Sequence, residues 1–356
     1  MTASRREMTG GRPETAADTP GRTGAAAGRA GAAGRTGPGG PLGLLPPSVL
    51  VPAGILSVQI GAGLAGRLFS QVPPAAVTAL RLWSAAVLMA VLGGRSLGRA
   101  VRGMAAERAW RDAGVAVLFG LVLAIMNYSI YQSFARIPLG IAVTIEFLGP
   151  LAVAVVSSRR LLDLLWVGLA GTGVALLSEG GSRLASGSLA TAHPSARTTL
   201  VGVAFALLSA AAWAAYILLS RATGRRFRGT SGLTIAMLVA AVAVTPTGIA
   251  TGGSALLRPG VLVTGAVVGL LSSVIGYWIE LEVLRRITTR VFGVWMSLEP
   301  AVAALVGLVM LGEALAVRQW AAVGCVIVAC AGAAREGPSR PEPPGRQDPL
   351  PPPPAG

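Results

Sequence analysis

Lysine is absent from this 356-residue chain, histidine occurs once, cysteine twice, and only 13% of the residues are charged, about half the share of a soluble protein. Each scarcity excludes something. Without lysine there is no phosphate-binding P-loop, so the chain by itself is not an ATP-driven pump. With His193 alone in a polar connection and no Cys/His cluster, a zinc-type site has nothing to be built from, and neither a metal nor a cofactor is expected. Cys325 and Cys330 stand five residues apart on one apolar stretch, where they point to different faces of a helix and cannot bridge each other. What is abundant is apolar: 53% of the residues, with a mean hydropathy of +0.66, more than a soluble domain can hide.

The formal charge of +15 does not point to nucleic acid, because the 30 basic residues are all arginine and nearly all lie outside the apolar runs. Residues 1–47 open with Ala, Gly, Arg, Thr and Pro and have no Leu, Ile, Val or aromatic residue before Leu42. Such a segment cannot bury enough surface to offset its ordering entropy and reads as a disordered tail. It also contains no apolar stretch of the secretory-signal kind within its first thirty residues or so. Residues 335–356 read as a second, extended tail, with nine prolines from Gly337 to Gly356.

Between the tails are apolar runs long enough to cross a hydrocarbon core of about 30 Å. The first half (48–178) holds Ser48 to Phe69, Ala75 to Leu92, Ala113 to Phe134, Pro138 to Val156 and Leu161 to Ser178. After an external connection (179–199), the second half (200–334) holds Leu200 to Leu219, Ser231 to Ala250, Val261 to Leu284, Val291 to Leu311 and Leu315 to Ala334. The expected fold is therefore an all-α integral membrane protein of ten transmembrane helices, with Pro150 and Pro300 as candidate helix breaks. The even-numbered connections carry fourteen arginines and the odd-numbered ones four, so both termini are expected to face the cytoplasm.

The halves are related by an offset of about 150 residues, which lays Ile137 to Val156 over Ile287 to Val306 and Pro150 over Pro300. Five spans is an odd number, so the second half inserts upside down relative to the first. That is the inverted-repeat plan of secondary transporters, with a site near the midplane between the halves.

A charge inside hydrocarbon costs at least ~2.5 kcal/mol, so each intramembrane ionisable residue is a functional candidate. Glu146 and Glu299 each lie eight residues into a span, roughly 12 Å from opposite faces at helical rise. Under the repeat offset Glu299 matches Gly149, one turn from Glu146, so the two carboxylates can line one cavity and exchange protons as it opens to either side. A packing role for Glu299, through backbone groups freed by Pro300, is the alternative. Arg81, six residues into its span, keeps its charge and needs a partner, either Glu146 or the carboxylate of a substrate. Asn127, Tyr128 and Tyr131, with Tyr216 and Tyr277 from the second half, are candidates to hydrogen-bond that substrate. Glu280 and Glu282 are expected to pair locally with Arg285 and Arg286, and Glu313, at the end of a span, to be solvated or to cap a helix. Gly61 to Gly66 matches G-x-G-x-x-G, but has no preceding strand and no acidic residue some twenty positions on, so it is expected to serve helix packing.

Four segments carry a family resemblance: IPLGIAVTIEFLGPLAVAVVSSRR (Ile137 to Arg160), TRVFGVWMSLEPAVAALVGLVMLGE (Thr289 to Glu313), VTALRLW (Val77 to Trp83) and MNYSIY (Met126 to Tyr131). Together they resemble the threonine/homoserine exporter branch of the EamA-type drug/metabolite transporter superfamily, from about Ser48 to Ala334. The resemblance implies two inverted five-helix repeats in a bacterial inner membrane, and proton-coupled export of small amino acids and related metabolites. The partners implied are a small-molecule substrate, protons and the lipid bilayer. Drugs, nucleosides or other metabolites are the alternative cargo on the same fold. A membrane-embedded enzyme lacks a nucleophile and base pair to support it, and a channel usually needs symmetric assembly around a pore. The first half departs from the pattern, with Ser157-Ser158-Arg159-Arg160 where the second ends in Gly312-Glu313.

Overall fold

A computed structural model describes residues 45–106, 110–157, 196–227, 231–284 and 286–336, and seven positions between 165 and 173. Among the described residues there is no strand, and nine helical stretches are long and apolar enough to cross a membrane. Most of the expected tails (1–47 and 335–356), of the connection (179–199) and of the span Leu161 to Ser178 lies outside the described residues.

The helices are α1 (Pro47–Leu68), α2 (Pro74–Ala106), α3 (Trp110–Phe134), α4 (Leu139–Glu146), α5 (Leu148–Ser157), α6 (Ala196–Gly224), α7 (Ser231–Gly252), α8 (Pro259–Gly269), α9 (Gly276–Leu284), α10 (Thr289–Met296), α11 (Glu299–Val306) and α12 (Val317–Glu336). Prolines start several of them, as Pro47 does in α1 and Pro259 in α8, because a first-turn residue has no helical partner for its N–H to lose. Helix α2 runs on to Ala106, past the expected end at Leu92. The residues beyond are mostly Ala, Arg, Leu, Met and Gly without proline, and the first four favour helix.

Three of the expected spans are interrupted. The fourth divides into α4 and α5 at Phe147, and the ninth into α10 and α11 at Ser297-Leu298. Pro150 and Pro300 sit in the first turns of α5 and α11, and each denies a hydrogen bond to the carbonyl four residues back, that of Glu146 or Met296. The eighth span joins α8 to α9 through a π-helical turn, Leu270–Ile275. A second π-helical turn, Gly307–Leu311, follows α11 and ends on Gly312, whose φ of 71° suits glycine.

Helix α3 packs on α6, and their counterparts at the repeat offset, α8 to α9 and α1, pack on each other; α2 packs on α7 and α4 on α11. This pairing is compatible with two related halves. The glycine fingerprint is a packing stripe: a Cβ on Gly61 would lie 2.9 Å from that of Ser272, and one on Gly63 would lie 2.9 Å from both Met310 Sδ and Val306 Cγ1. Each contact brings α1 against the C-terminal half, two of the three partners belonging to π-helical turns. Leucine, valine and isoleucine also face outward, as at Val87, Leu121, Ile125, Leu208, Val242, Ile249, Leu305 and Val309. Apolar side chains on both the inner and outer faces suit a lipid surround.

Candidate functional site

Between the halves is a cavity of about 190 Å³. Its polar wall comes from separate elements: Gln59 on α1, Arg81 on α2, Asn127 and Tyr131 on α3, Glu146 at the end of α4, Tyr216 on α6, Ser272 in the π-helical turn, Tyr277 and Glu280 on α9, and Glu299 at the start of α11. Both helix breaks thus abut a carboxylate. Ile55, Ile130, Val143, Trp213, Phe292 and Met296 supply apolar wall.

Arg81 has no ion pair among the described residues. Its guanidinium donates to Asn127 Oδ1 and, at 3.4 Å, to the Ser272 carbonyl, and it lies over the Tyr131 ring with 5.2 Å to the centroid. Asn127 is itself fixed by donating to the Leu123 carbonyl at 2.8 Å. Neutral acceptors therefore hold the cation without neutralising it. Glu146, an alternative partner for it in the sequence, instead accepts from Ser209 Oγ at 2.6 Å, while the same hydroxyl lies 3.0 Å from the Met126 carbonyl. Glu299 accepts from Gln59 Nε2 at 2.9 Å across 240 residues of sequence.

Along its wall Arg81, Glu146, Tyr216, Tyr277, Glu280, Phe292 and Met296 are half-buried, whereas Gln59, Asn127, Tyr131 and Glu299 are buried. Where α1 and α3 end and α4 begins, further contacts hold the elements together. Glu313 Oε2 accepts from the Leu139 backbone N–H at 2.8 Å, Arg67 Nε donates to the Met310 carbonyl at 2.9 Å, and Phe69, Tyr131 and Phe134 stack edge to face or tilted. Burial pushes the Glu313 carboxyl above its ordinary value, partly opposed by the Leu139 N–H that favours the ionised form.

Of the residues singled out from the sequence, Arg81, Asn127, Tyr131, Glu146, Tyr216, Tyr277 and Glu299 share this one cavity. Tyr128 does not join them; it packs against Phe205 with 6.4 Å between ring centroids. Asn127 and Tyr131 are four residues apart and share a helix face, whereas Tyr128 is turned about 100° from Asn127.

Residues 200–335 match the EamA-like transporter family. The chain is 38% identical over 292 residues to the threonine/homoserine exporter RhtA of Escherichia coli strain K12, covering 80% of this chain and 90% of that protein. It is likewise 38% identical over 294 residues to the threonine/homoserine exporter RhtA of Salmonella typhimurium strain LT2, covering 81% and 90%. The chain belongs to the EamA-like transporter family.

For this EamA-like transporter the sequence left several cavity residues unmarked. Gln59 and Ser272 line the cavity and Ser209 holds Glu146 beside it; all three are uncharged residues in largely apolar stretches, and the partners of Gln59 and Ser209 are 240 and 63 residues away. Glu280 was expected to pair with the arginines beyond α9. It lines the cavity instead, and Glu282 takes the ion pair with Arg286. Four residues place Glu282 and Arg286 on one face, while the six from Glu280 to Arg286 turn about 240° around the helix.

Proposed function

We propose that this multi-pass membrane transporter exports small amino acids of the threonine/homoserine type across a bacterial inner membrane in exchange for protons. The observation that carries the reading is Arg81: a guanidinium in the cavity, held by a side-chain amide, a carbonyl and a ring face, with no carboxylate paired to it among the described residues. A substrate carboxylate supplies the missing partner. The names of the E. coli and Salmonella relatives support the same substrate class. The cavity's volume of about 190 Å³ also favours a small cargo over a drug-sized one, since pockets for drug-sized ligands measure roughly 300–1,000 Å³.

Glu146 and Glu299 are the proton-exchanging groups in this reading. Both are carboxylates in the cavity wall and each meets a helix break, where backbone can rearrange at small cost. Two inverted five-helix repeats, the fifth span being Leu161 to Ser178, put the arginine-rich connections and both termini on the cytoplasmic side. The Glu313 to Leu139 and Arg67 to Met310 contacts then lie towards the outer side.

The test is export by Glu146→Gln and Glu299→Gln in proteoliposomes with and without an imposed proton gradient. The expected result is loss of gradient-driven flux in at least one variant with exchange of substrate retained. Full proton-coupled activity in both removes them as coupling groups.

A further inference from the structure

Four buried polar atoms in the cavity residues have no hydrogen-bond partner among the described residues: Gln59 Oε1, Glu299 Oε2, Arg81 Nε and the Tyr131 hydroxyl. They fall into two groups by chemistry and by contact. Gln59 and Glu299, joined by their own hydrogen bond, each leave an acceptor oxygen unmatched. Arg81 and Tyr131, joined by the guanidinium over the ring, each leave a hydrogen-bond donor unmatched. An unmatched buried polar atom destabilises the empty site, and a ligand with complementary groups removes that cost.

We propose that the cavity takes a zwitterion in one fixed polarity, its ammonium on Gln59 and Glu299 and its carboxylate on Arg81 and Tyr131. The proposal rests on the amino-acid reading above and adds to it an orientation and a new specificity residue, Gln59. An ammonium offers three donors and no acceptor, which suits the Gln59 and Glu299 oxygens. A guanidinium beside a hydroxyl suits a carboxylate. Glu146 is engaged by Ser209 through Oε1 and is half-buried, whereas Gln59 and Glu299 form a buried pair of acceptors. The ammonium pole joins α1 to α11, one helix from each half, whereas the carboxylate pole lies on α2 and α3 within one half. Gln59, 2% exposed, also orients Glu299, 8% exposed, by donating to one of its oxygens.

The experiment is a thermal-shift titration of the purified full-length protein with threonine, threoninol, which lacks the carboxylate, and 2,3-dihydroxybutyrate, which lacks the ammonium. The wild type is expected to bind threonine about 10- to 100-fold more tightly than either analogue. In Gln59→Leu and in Glu299→Gln the preference over 2,3-dihydroxybutyrate should shrink to about threefold or less, while the preference over threoninol persists. The readout is a ratio within one folded variant, and either variant alone suffices. An unchanged preference over 2,3-dihydroxybutyrate in these variants overturns the orientation and leaves the amino-acid reading standing. A wild type that binds threonine no better than either analogue overturns both.

Discussion

Replacing Arg81 by lysine keeps the charge and removes the geometry. The guanidinium reaches Asn127 Oδ1 and the Ser272 carbonyl while lying 5.2 Å from the Tyr131 ring centroid. A lysine ammonium is a compact point charge that cannot make those contacts and still present a planar fork to a carboxylate. Hydrogen bonds to charged groups contribute about 1.5–3 kcal/mol. With the charge kept and the fork lost, about 2 kcal/mol of carboxylate binding should disappear, or roughly 30-fold in affinity. Helix α2 is not at risk, because Arg and Lys have similar helix propensities. The assay is the KM for threonine counterflow in proteoliposomes, with threoninol inhibition as the control that has no carboxylate to lose. Arg81→Lys should raise the threonine KM by about that factor and leave threoninol inhibition within about twofold of wild type. A threonine KM unchanged within twofold refutes the assignment of Arg81 to the carboxylate.

Gly149→Ala would set a Cβ 2.2 Å from the Ala210 carbonyl oxygen, a backbone atom that cannot swing aside, so its thermal midpoint in detergent should fall by the equivalent of about 1–3 kcal/mol. Gly114→Ala, with nothing within 4 Å of its added Cβ, should leave the midpoint unchanged or slightly raised. Glu313 carries a pH signature. Its carboxyl is raised above the ordinary 4.5 by burial, so between the unfolded and folded values the native state holds more protons than the unfolded one, and stability falls as pH rises. This contribution is whole below about 4.5 and is lost as pH rises through the folded value; Glu313→Gln, which keeps an acceptor for the Leu139 N–H, should flatten that slope in a melting series.

The membrane-spanning helices were legible because hydrocarbon thickness sets a length, and an apolar run either reaches it or does not. Helix ends were less so. Helix α2 continues through residues 93–106 because propensity carries a helix beyond its apolar stretch. Glu146, Glu299 and Arg81 could be picked out because a charge in an apolar span has few innocent explanations. That they share a cavity with Gln59 and Ser272 could not be read, since it depends on how α1, α2, α4, α11 and a π-helical turn pack together. Glu313 illustrates the same limit: capping was one of the roles expected of it, but the N–H it receives belongs to Leu139, 174 residues earlier. No local pattern encodes that pairing.

The most direct test of the account is counterflow of labelled threonine in proteoliposomes of the full-length protein, with homoserine, a nucleoside and a cationic drug as competitors. The account predicts saturable threonine exchange, accelerated by an imposed proton gradient and blocked by homoserine but not by the nucleoside or the drug. Exchange of the nucleoside or the drug without any threonine flux would contradict it and leave the transporter architecture with a different cargo.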